Sequence, residues 1–420
     1  DEFEFYLTDL NAKALIVEAG SASPAIEVAK KLGVSLLVLH PTPQEGAGSF
    51  TLDTSARPSS VSTLAGQALP DDIALVLHTS GTTSRPKIVP LTQRNVCASA
   101  QHIAASTQFT ANDRGLNVMP LFHIHGLIAG ILAPLSQGGE VHCTSGFNAL
   151  KFFSQMDDVK PTWYTAVPTM HQAILSRATQ NKEVIQRVPL RFIRSSSSSL
   201  PPQVLAELEA TFHAPVIEAY GMTEAAHQMA CNPLPPGQRK PGTVGIAAGP
   251  EVAIMNAEGQ MMGVGESGEI VIRGPNVTPG YENNDKANAE AFTHGWFRTG
   301  DQGVIDAEGY ISITGRLKEI INRGGEKISP REIDEILMDH PSVGQVVCFG
   351  IPHEKLGEEV GAAVVLREGH SASEKELRDH VASRVADFKV PRKILLLDEI
   401  PKGATGKLQR IGMAQKLGLA

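Results

Sequence analysis

The chain has 420 residues, enough for two or three domains with large hydrophobic cores. Hydrophobic residues make up 42% of the sequence and charged residues 20%, and these proportions exclude a disordered chain. The formal net charge is -8 and no basic run stands out, which argues against a nucleic-acid partner. The four cysteines form no CxxC pair, so we expect reduced, mostly buried thiols and no structural zinc site.

The two ends and the most apolar window predict a cytoplasmic protein. The first ten residues, DEFEFYLTDL, are acidic and lack an apolar segment, so we expect no signal peptide. The last five residues, KLGLA, do not match the peroxisomal SKL signal. Residues 117–136 are interrupted by Pro120, His123, His125 and Pro134, so we interpret them as buried core and not as a membrane span. The sequence leaves the oligomeric state open.

The predicted elements begin as an α/β pattern. Apolar runs such as ALIVEA, SLLVLH and IALVLHTS alternate with amphipathic segments such as LTQRNVCASAQHIAA, which is typical of βαβ units and parallel sheets. Between about residues 241 and 314, closely spaced strands with glycine turns predict a hairpin-rich, barrel-like part. A helix that begins at Ser329 and Pro330, followed by strands at QVVCFGI and GAAVVL, predicts a small α+β domain at the end.

A run of five serines, residues 195–199, lies between the predicted strand LRFIR and the predicted helix LPPQVLAELEATF. Composition alone would also allow a flexible linker. The flanking elements instead place the serines at the C-terminal edge of a strand, where α/β proteins bind ligands.

Five motifs carry the candidate chemistry. The Ser/Thr/Gly-rich segment LHTSGTTSRPK, residues 77–87, offers N–H groups, hydroxyls and a lysine to phosphate oxygens, although it lacks the Walker A spacing. YGMTE (220–224) and TGD (299–301) supply an aromatic ring for a base and carboxylates for Mg²⁺ and ribose hydroxyls. GRLKE (315–319) lies where the pattern changes, and PKGATGK (401–407) lies in the small domain. A flexible turn before a helix is the alternative for the first loop alone, and a simple glycine turn is the alternative for residues 322–327 alone, but together the motifs predict a nucleotide site.

In this order, the motifs TSGTTSRPK, YGMTE, TGD, GRLKE and ATGK resemble those of the adenylate-forming superfamily of acyl-CoA synthetases, luciferases and peptide-synthetase adenylation domains. The resemblance covers most of the chain. Within the superfamily, PLFHIHG, RFIRSSSSSL and EAAHQMACNPLPPG look most like oxalate:CoA ligases, with 4-coumarate:CoA ligases and medium-chain acyl-CoA synthetases as the next relatives. Family members carry a longer segment before the phosphate loop, so we expect this chain to begin partway into the first subdomain.

The resemblance implies an α/β plus α+β fold. Residues 1–315 are expected to form a large AMP-binding domain of doubly wound sheets, with the barrel-like part at about 241–314. Residues 316–420 are expected to form a small, mobile C-terminal lid domain with a hinge at about 316–318. In such proteins the small domain rotates between two half-reactions.

The resemblance also implies the reaction and its residues. An acid reacts with ATP to give an acyl-adenylate and pyrophosphate, and CoA then displaces AMP; ATP and CoA are co-substrates and Mg²⁺ is the cofactor. Lys407, Thr223, Glu224 and His123 are the expected catalytic residues, with Glu224 as the Mg²⁺ ligand. The residues expected to contact ATP or AMP are Thr79, Ser80, Gly81, Thr82, Thr83, Lys87, Ser198, Glu218, Ala219, Tyr220, Gly221, Thr223, Asp301, Arg316 and Lys407. Those expected to act in CoA transfer or at the hinge are Lys318, Gly324, Gly325 and Glu326.

The acid is expected to contact His123, Ser198 and His227. Neighbouring positions such as Ser197, Ala225 and Ala226 are small or polar, which favours a short dicarboxylic acid, oxalate first, over an aromatic or medium-chain acid. Other short acids and 4-coumarate-like or medium-chain acids remain alternatives. So do a catalytically silent nucleotide-binding protein and an enzyme that passes its adenylate to a carrier protein or to oxygen.

A strand period of two would place His125 on the same face as His123. A metal pair is one interpretation of these two histidines. A core or gate histidine is the interpretation that we favour, because no third ligand follows at zinc spacing.

Overall fold

A computed structural model describes residues 2–53, 66–79, 86–402 and 408–420 of the chain. The chain divides into two compact units, Asp1–Leu69 and Pro70–Ala420.

The first unit holds a three-stranded sheet and two helices. The strands lie in the order β1-β2-β3, with β1 and β2 parallel and β3 antiparallel to β2. The second helix buries Ala25 and Ala29 and ends at Gly33, whose left-handed backbone lets its N–H reach the last carbonyls of the helix. The elements are α1 (Glu2–Asp9), β1 (Ala14–Glu18), α2 (Ala25–Leu32), β2 (Ser35–Pro41) and β3 (Phe50–Asp53).

The second unit begins with a hairpin and a capped helix. Strands β4 (Ile73–His78) and β5 (Ile88–Thr92) pair antiparallel, and β5 is buried throughout. Helix α3 (Gln93–Thr107) follows directly, because Thr92 and Asn95 cap its first turn reciprocally.

A seven-stranded sheet forms the centre of the second unit, in the order β12-β11-β10-β9-β8-β6-β7. The five strands from β10 to β7 are parallel, and β11 and β12 run antiparallel at one edge. The predicted alternation of strands and helices is thus confirmed. The elements are β6 (Arg114–Asn117), α4 (Ala133–Leu135), β7 (Glu140–Cys143), α5 (Phe152–Val159), β8 (Trp163–Ala166), α6 (Pro168–Ala178), α7 (Lys182–Arg187), β9 (Phe192–Ser196), α8 (Pro202–Phe212), β10 (Val216–Met222), β11 (His227–Cys231) and β12 (Ile246–Ala247).

The segment between β6 and β7 is not a strand but a π-helix, His125–Leu132, which continues into α4. Gly130 lets it lie against the end of β6, since a Cβ at this position would come within 2.7 Å of Asn117 Oδ1. The prediction that His123 and His125 share a strand face is therefore wrong. The prediction of a buried core is confirmed for His125, Ile128 and Ala129, whereas Leu121, Phe122 and Leu135 of the same window are exposed.

The predicted hairpin-rich part is a five-stranded antiparallel sheet in the order β13-β14-β16-β15, with β17 paired to β16. Burial alternates along β16, so that Phe297, Thr299 and Asp301 point inward. The elements are β13 (Glu251–Met255), β14 (Gly268–Arg273), α9 (Asp285–Ala291), β15 (Phe292–Thr293), β16 (Trp296–Ile305) and β17 (Ile311–Arg316).

The last part is the predicted small α+β arrangement, with strands in the order β19-β18-β21-β20 and β22 parallel to β21. Ser329 precedes Pro330 as expected, but its hydroxyl donates to the carbonyl of Thr314 and does not cap the helix. The elements are β18 (Ile321–Arg323), β19 (Glu326–Ile328), α10 (Pro330–Met338), β20 (Val343–His353), β21 (Gly357–Leu366), α11 (Glu374–Ala382), β22 (Lys393–Leu396) and α12 (Met413–Lys416).

The cysteines are free but not mostly buried as predicted: Cys231 and Cys348 are buried, whereas Cys97 and Cys143 are exposed. In the described part of the chain, no helix is long and apolar enough to cross a membrane.

Candidate active site

The serine run and the YGMTE motif meet at one edge of the central sheet. Strands β9 and β10 are parallel neighbours with Ser196 opposite Ala219, and the Ser196 hydroxyl donates to the Ala219 carbonyl at 2.8 Å. The Glu218 carboxylate accepts the Leu200 N–H at 2.9 Å, just beyond the serines. The prediction that the serines lie at the C-terminal edge of a strand is confirmed.

A tight fold-back places Thr223 and Glu224 at this edge. Strand β10 reverses through the short 3₁₀ turn Thr223–Ala225 and pairs antiparallel with β11, so that Met222 faces His227. Gly221 is required here, because a Cβ would lie 1.8 Å from the His227 carbonyl oxygen and 3.0 Å from its Nδ1.

Glu224 and Lys87 converge on Tyr281. The Tyr281 hydroxyl donates to Glu224 Oε1 at 2.8 Å, and Lys87 Nζ lies 4.2 Å from the centroid of the Tyr281 ring. Burial is the largest influence on Glu224 and raises its pKa above the ordinary value. Tyr281 belongs to none of the five motifs, so only these contacts indicate that it is part of the site.

Glu224 is a single buried carboxylate, so it could bind Mg²⁺ only if a substrate supplied further ligands. Mg²⁺ in nucleotide sites is held by one or two carboxylates plus phosphate oxygens and waters. The described residues contain no group of three or more His, Cys, Asp or Glu side chains that could hold a metal. Glu224 therefore fits as the protein ligand of a metal whose other ligands come with ATP.

Asp301 joins two other predicted residues. The Tyr220 hydroxyl donates to Asp301 Oδ2 at 2.5 Å, and Arg316 Nε donates to Asp301 Oδ1 at 2.9 Å. Strand register explains the second contact, since Asp301 on β16 lies opposite Arg316 on β17. The Asp301 carboxylate is the main reason that the pKa of Arg316 is raised, while burial raises that of Tyr220.

His227 belongs to a buried polar cluster that includes His125. The two imidazole rings stack with centroids 5.1 Å apart and planes 17° from parallel. His125 contacts the Ser197 hydroxyl through Nδ1 at 3.0 Å and the Thr165 hydroxyl through Nε2 at 2.7 Å. These contacts place His125 in the interior beside the serine run, as expected for a core histidine.

Arg194, which sequence reasoning missed, donates hydrogen bonds to both histidines. Its Nη2 donates to His227 Nε2 at 3.1 Å and to Gln228 Oε1 at 3.3 Å, and its Nη1 donates to His125 Nε2 at 3.3 Å. The side chain is completely buried, and burial lowers its pKa to about 10. The signal that could have indicated Arg194 is its charge, because a charged residue is unusual inside a buried strand such as LRFIR.

The remaining predicted residues lie in several separate places. Thr79 and Lys87 of the Ser/Thr/Gly-rich segment are joined by a hydrogen bond, which the Thr79 N–H donates to the Lys87 carbonyl at 3.0 Å. His123 is half-buried and its Nδ1 accepts the His125 N–H at 3.3 Å. Ser198 lines a cavity that also contacts the C-terminal part. Lys318, Gly324, Gly325 and Glu326 are exposed. The predicted site residues Ser80, Gly81, Thr82, Thr83 and Lys407 lie outside the described residues.

Arg410 fastens three segments of the C-terminal part together. It lies on the wall of the same cavity and donates from Nη1 to the Cys348 carbonyl at 3.0 Å. It forms ion pairs with Glu319 at 3.1 Å and with Asp334 at 2.5 Å. These carboxylates outweigh the effect of burial and raise the pKa of Arg410, so the guanidinium stays charged.

Comparison with known proteins decides the family. Residues 1–282 match the AMP-binding enzyme family, and residues 332–407 match the AMP-binding enzyme C-terminal domain. The chain belongs to the AMP-binding enzymes. This AMP-binding enzyme is 48% identical over 421 residues to an oxalate-CoA ligase of Arabidopsis thaliana, covering 99% of this chain and 81% of the relative.

Two further comparisons agree. An oxalate-CoA ligase of Saccharomyces cerevisiae is 42% identical over 437 residues, covering 99% of this chain and 80% of the relative. The solved structure of ATP-bound MatB from Rhodopseudomonas palustris superposes with a TM-score of 0.86 at 29% identity, covering 100% of this chain and 80% of that one. The predicted superfamily, fold class and reaction class, an AMP-forming acid:CoA ligase that uses ATP and CoA, are confirmed.

Proposed function

We propose that this enzyme is an oxalate:CoA ligase. In the first half-reaction, a carboxylate oxygen of oxalate forms a bond to the α-phosphorus of ATP, and the bond to the bridging oxygen of pyrophosphate breaks. In the second, the CoA sulfur releases its proton to solvent and bonds to the acyl carbon, and the bond between the acyl carbon and the phosphate oxygen of AMP breaks. The products are oxalyl-CoA, AMP and pyrophosphate.

The observation that carries the choice of acid is the polar lining beside the YGMTE turn. His227 and Ser197 reach this place from β11 and from the end of β9, and both belong to the hydrogen-bonded cluster around His125. Ala225 and Ala226 add only methyl groups. A long or aromatic acid needs an apolar concavity, whereas a second carboxylate needs hydrogen-bond donors. The names of the relatives at 48% and 42% identity support the same acid.

The nucleotide roles follow the motifs and their contacts. Asp301 and Arg316 would hold the ribose, Tyr220 would stack on adenine with Ala219 and Gly221 beside it, and Thr223 would contact the α-phosphate. Lys87, Thr79 and the loop residues 80–83 would hold the β- and γ-phosphates. The observed convergence of Lys87 and Glu224 on Tyr281 supports a shared phosphate and Mg²⁺ site. When bound there, Mg²⁺ supplies positive charge to the phosphate oxygens.

The C-terminal part would complete the site. Lys407 would lie between the two anions, the acid carboxylate and the α-phosphate, which otherwise repel each other. We propose a domain boundary at residues 315–316 with Lys318 at the hinge, and a role in CoA transfer for Gly324, Gly325 and Glu326. A cytoplasmic location and a role in oxalate catabolism stay predictions.

A panel of acids tests the proposal. Purified protein would receive Mg-ATP, CoA and, in separate reactions, oxalate, malonate, succinate, acetate, octanoate or 4-coumarate, with AMP and thioester measured in each. We expect both products with oxalate at a kcat/KM well above that for every other acid. Preference for octanoate or 4-coumarate would refute the proposed acid, and nucleotide binding without turnover of any acid would refute the proposed activity. His227→Ala should raise the KM for oxalate more than that for acetate.

A further inference from the structure

Arg194 is a buried cation that has no negatively charged partner among the described residues. Its hydrogen-bond partners are two imidazole nitrogens and an amide oxygen, and its Nε, also buried, has no partner. Across residues 2–53, 66–79, 86–402 and 408–420, no carboxylate forms an ion pair with it. Strand register explains why: the carboxylate of the adjacent strand, Glu218, lies opposite Ser195 and therefore on the other face of the sheet.

A buried guanidinium without a counter-charge is costly, and proteins normally pair such groups. Arginine has only donors, so both imidazoles must accept through Nε2 and carry their protons on Nδ1. For His125, that proton then points at the Ser197 hydroxyl, 3.0 Å away. For His227, Nδ1 lies 3.0 Å from the position that a Cβ on Gly221 would occupy, next to the turn that holds Thr223 and Glu224. Arg194 thereby fixes the tautomer of two neutral rings next to the serine run and adds a buried positive charge beside the proposed acid site.

We propose that Arg194 is the positioning residue that gives this enzyme its preference for an acid with a second carboxylate. The inference rests on the proposed function and deepens it, because it names a specificity determinant that acts through His125 and His227. The missing counter-charge of Arg194 is the distal carboxylate of the substrate. The carboxylate that becomes adenylated does not depend on Arg194.

The test compares oxalate with oxamate, in which a neutral amide replaces the distal carboxylate. Arg194→Met keeps an unbranched side chain that reaches about as far as Nε, and it removes the guanidinium and its charge. Steady-state AMP formation would give kcat and KM for both acids and for ATP, with the inhibition constant of oxamate against oxalate used where its turnover is slow. Malonate with malonamate forms a second pair.

We expect Arg194→Met to raise the KM for oxalate about 10- to 100-fold, as for loss of a buried charge partner, and to change that for oxamate and ATP less than about 3-fold. Arg194→Lys should recover part of the oxalate affinity because it restores charge but not the two-ring contact. Arg191→Met is the matched control: Arg191 lies just before the same strand, pairs with Asp113 at 2.8 Å and stays outside the cluster, so the oxalate-to-oxamate ratio should be unchanged.

The outcomes distinguish the proposed function from the proposed role of Arg194. Equal losses for oxalate and oxamate in Arg194→Met would overturn the inference and leave the proposed function intact. Wild-type turnover of malonate but not oxalate would overturn the proposed acid, and the malonate pair would then decide the inference. A wild type that prefers monocarboxylates would overturn both. If Arg194→Met fails to fold, Arg194→Lys decides by the same ratio, since an unchanged oxalate-to-oxamate ratio with intact ATP binding would refute the role of the guanidinium.

Discussion

Glu218 should make the stability of this enzyme fall as the pH rises. Its carboxylate is almost fully buried, one oxygen accepts the Leu200 N–H at 2.9 Å, and the other has no hydrogen-bond partner among the described residues. Burial disfavours the charged form and raises the pKa of Glu218 from 4.5 to about 7. The change Glu218→Gln keeps the shape and the acceptor for Leu200 but removes the charge.

The sign and size follow from linkage. Between about pH 4.5 and 7 the folded state keeps a proton on Glu218 that the unfolded state has lost, so the wild type loses stability as the pH rises through this window. One pKa unit corresponds to about 1.4 kcal/mol, so a rise from 4.5 to about 7 corresponds to about 3 kcal/mol of unfolding free energy. Glutamine does not titrate, so the variant should gain this amount relative to the wild type.

Urea unfolding of both proteins at several values between about pH 4.5 and pH 8 measures the difference. Near the lower value both side chains are neutral, and the two proteins should be about equally stable. The variant should then become more stable than the wild type by about 3 kcal/mol as the pH reaches about 7, with no further gain above it. The claim is that ionisation of Glu218 destabilises the folded state. It would be refuted if the difference in unfolding free energy did not change with pH, or if the wild type were the more stable protein at high pH.

Three other changes test the site. Lys407→Ala should slow adenylate formation about 10²- to 10³-fold but leave thioester formation from supplied acyl-adenylate nearly intact; pyrophosphate release and thioester assays measure the two steps, and equal losses would contradict the assigned role. Tyr220→Phe removes the donor to Asp301 and should raise the KM for ATP about 10-fold while the KM for the acid stays constant; an unchanged KM for ATP would argue against a ribose contact. Gly221→Ala would force a Cβ to 1.8 Å from the His227 carbonyl, so thermal unfolding should show a loss of more than about 3 kcal/mol, and a wild-type melting temperature would disprove the packing argument.

The motifs predict the parts of the site that depend only on local sequence. YGMTE and TGD were assigned to one nucleotide site from residue type alone, and the structure brings Tyr220 and Asp301 into direct contact. Strand periodicity likewise predicted the place of the serine run, because the flanking strand and helix have strong local patterns. These features are local, so a single sequence contains them.

Arg194 and Tyr281 could not be predicted in the same way. Each acquires its meaning from a partner far away in sequence: Tyr281 from Glu224, and Arg194 from His125 and His227. The π-helix was missed for another reason. Its apolar residues are buried nearly all round, so no period is visible, and the glycine contact with β6 that fixes it is a tertiary contact.

Arg410 has a mechanical consequence for the catalytic cycle. It lies three residues after Lys407, and its partner Glu319 directly follows Lys318, the proposed hinge. The ion pair therefore joins the described chain after Lys407 to the residue next to the proposed hinge. A rotation at Lys318 would carry Glu319 and Arg410 together, because both lie on the same side of the proposed hinge. Loss of this ion pair would loosen the connection between the start of the C-terminal part and its last segment.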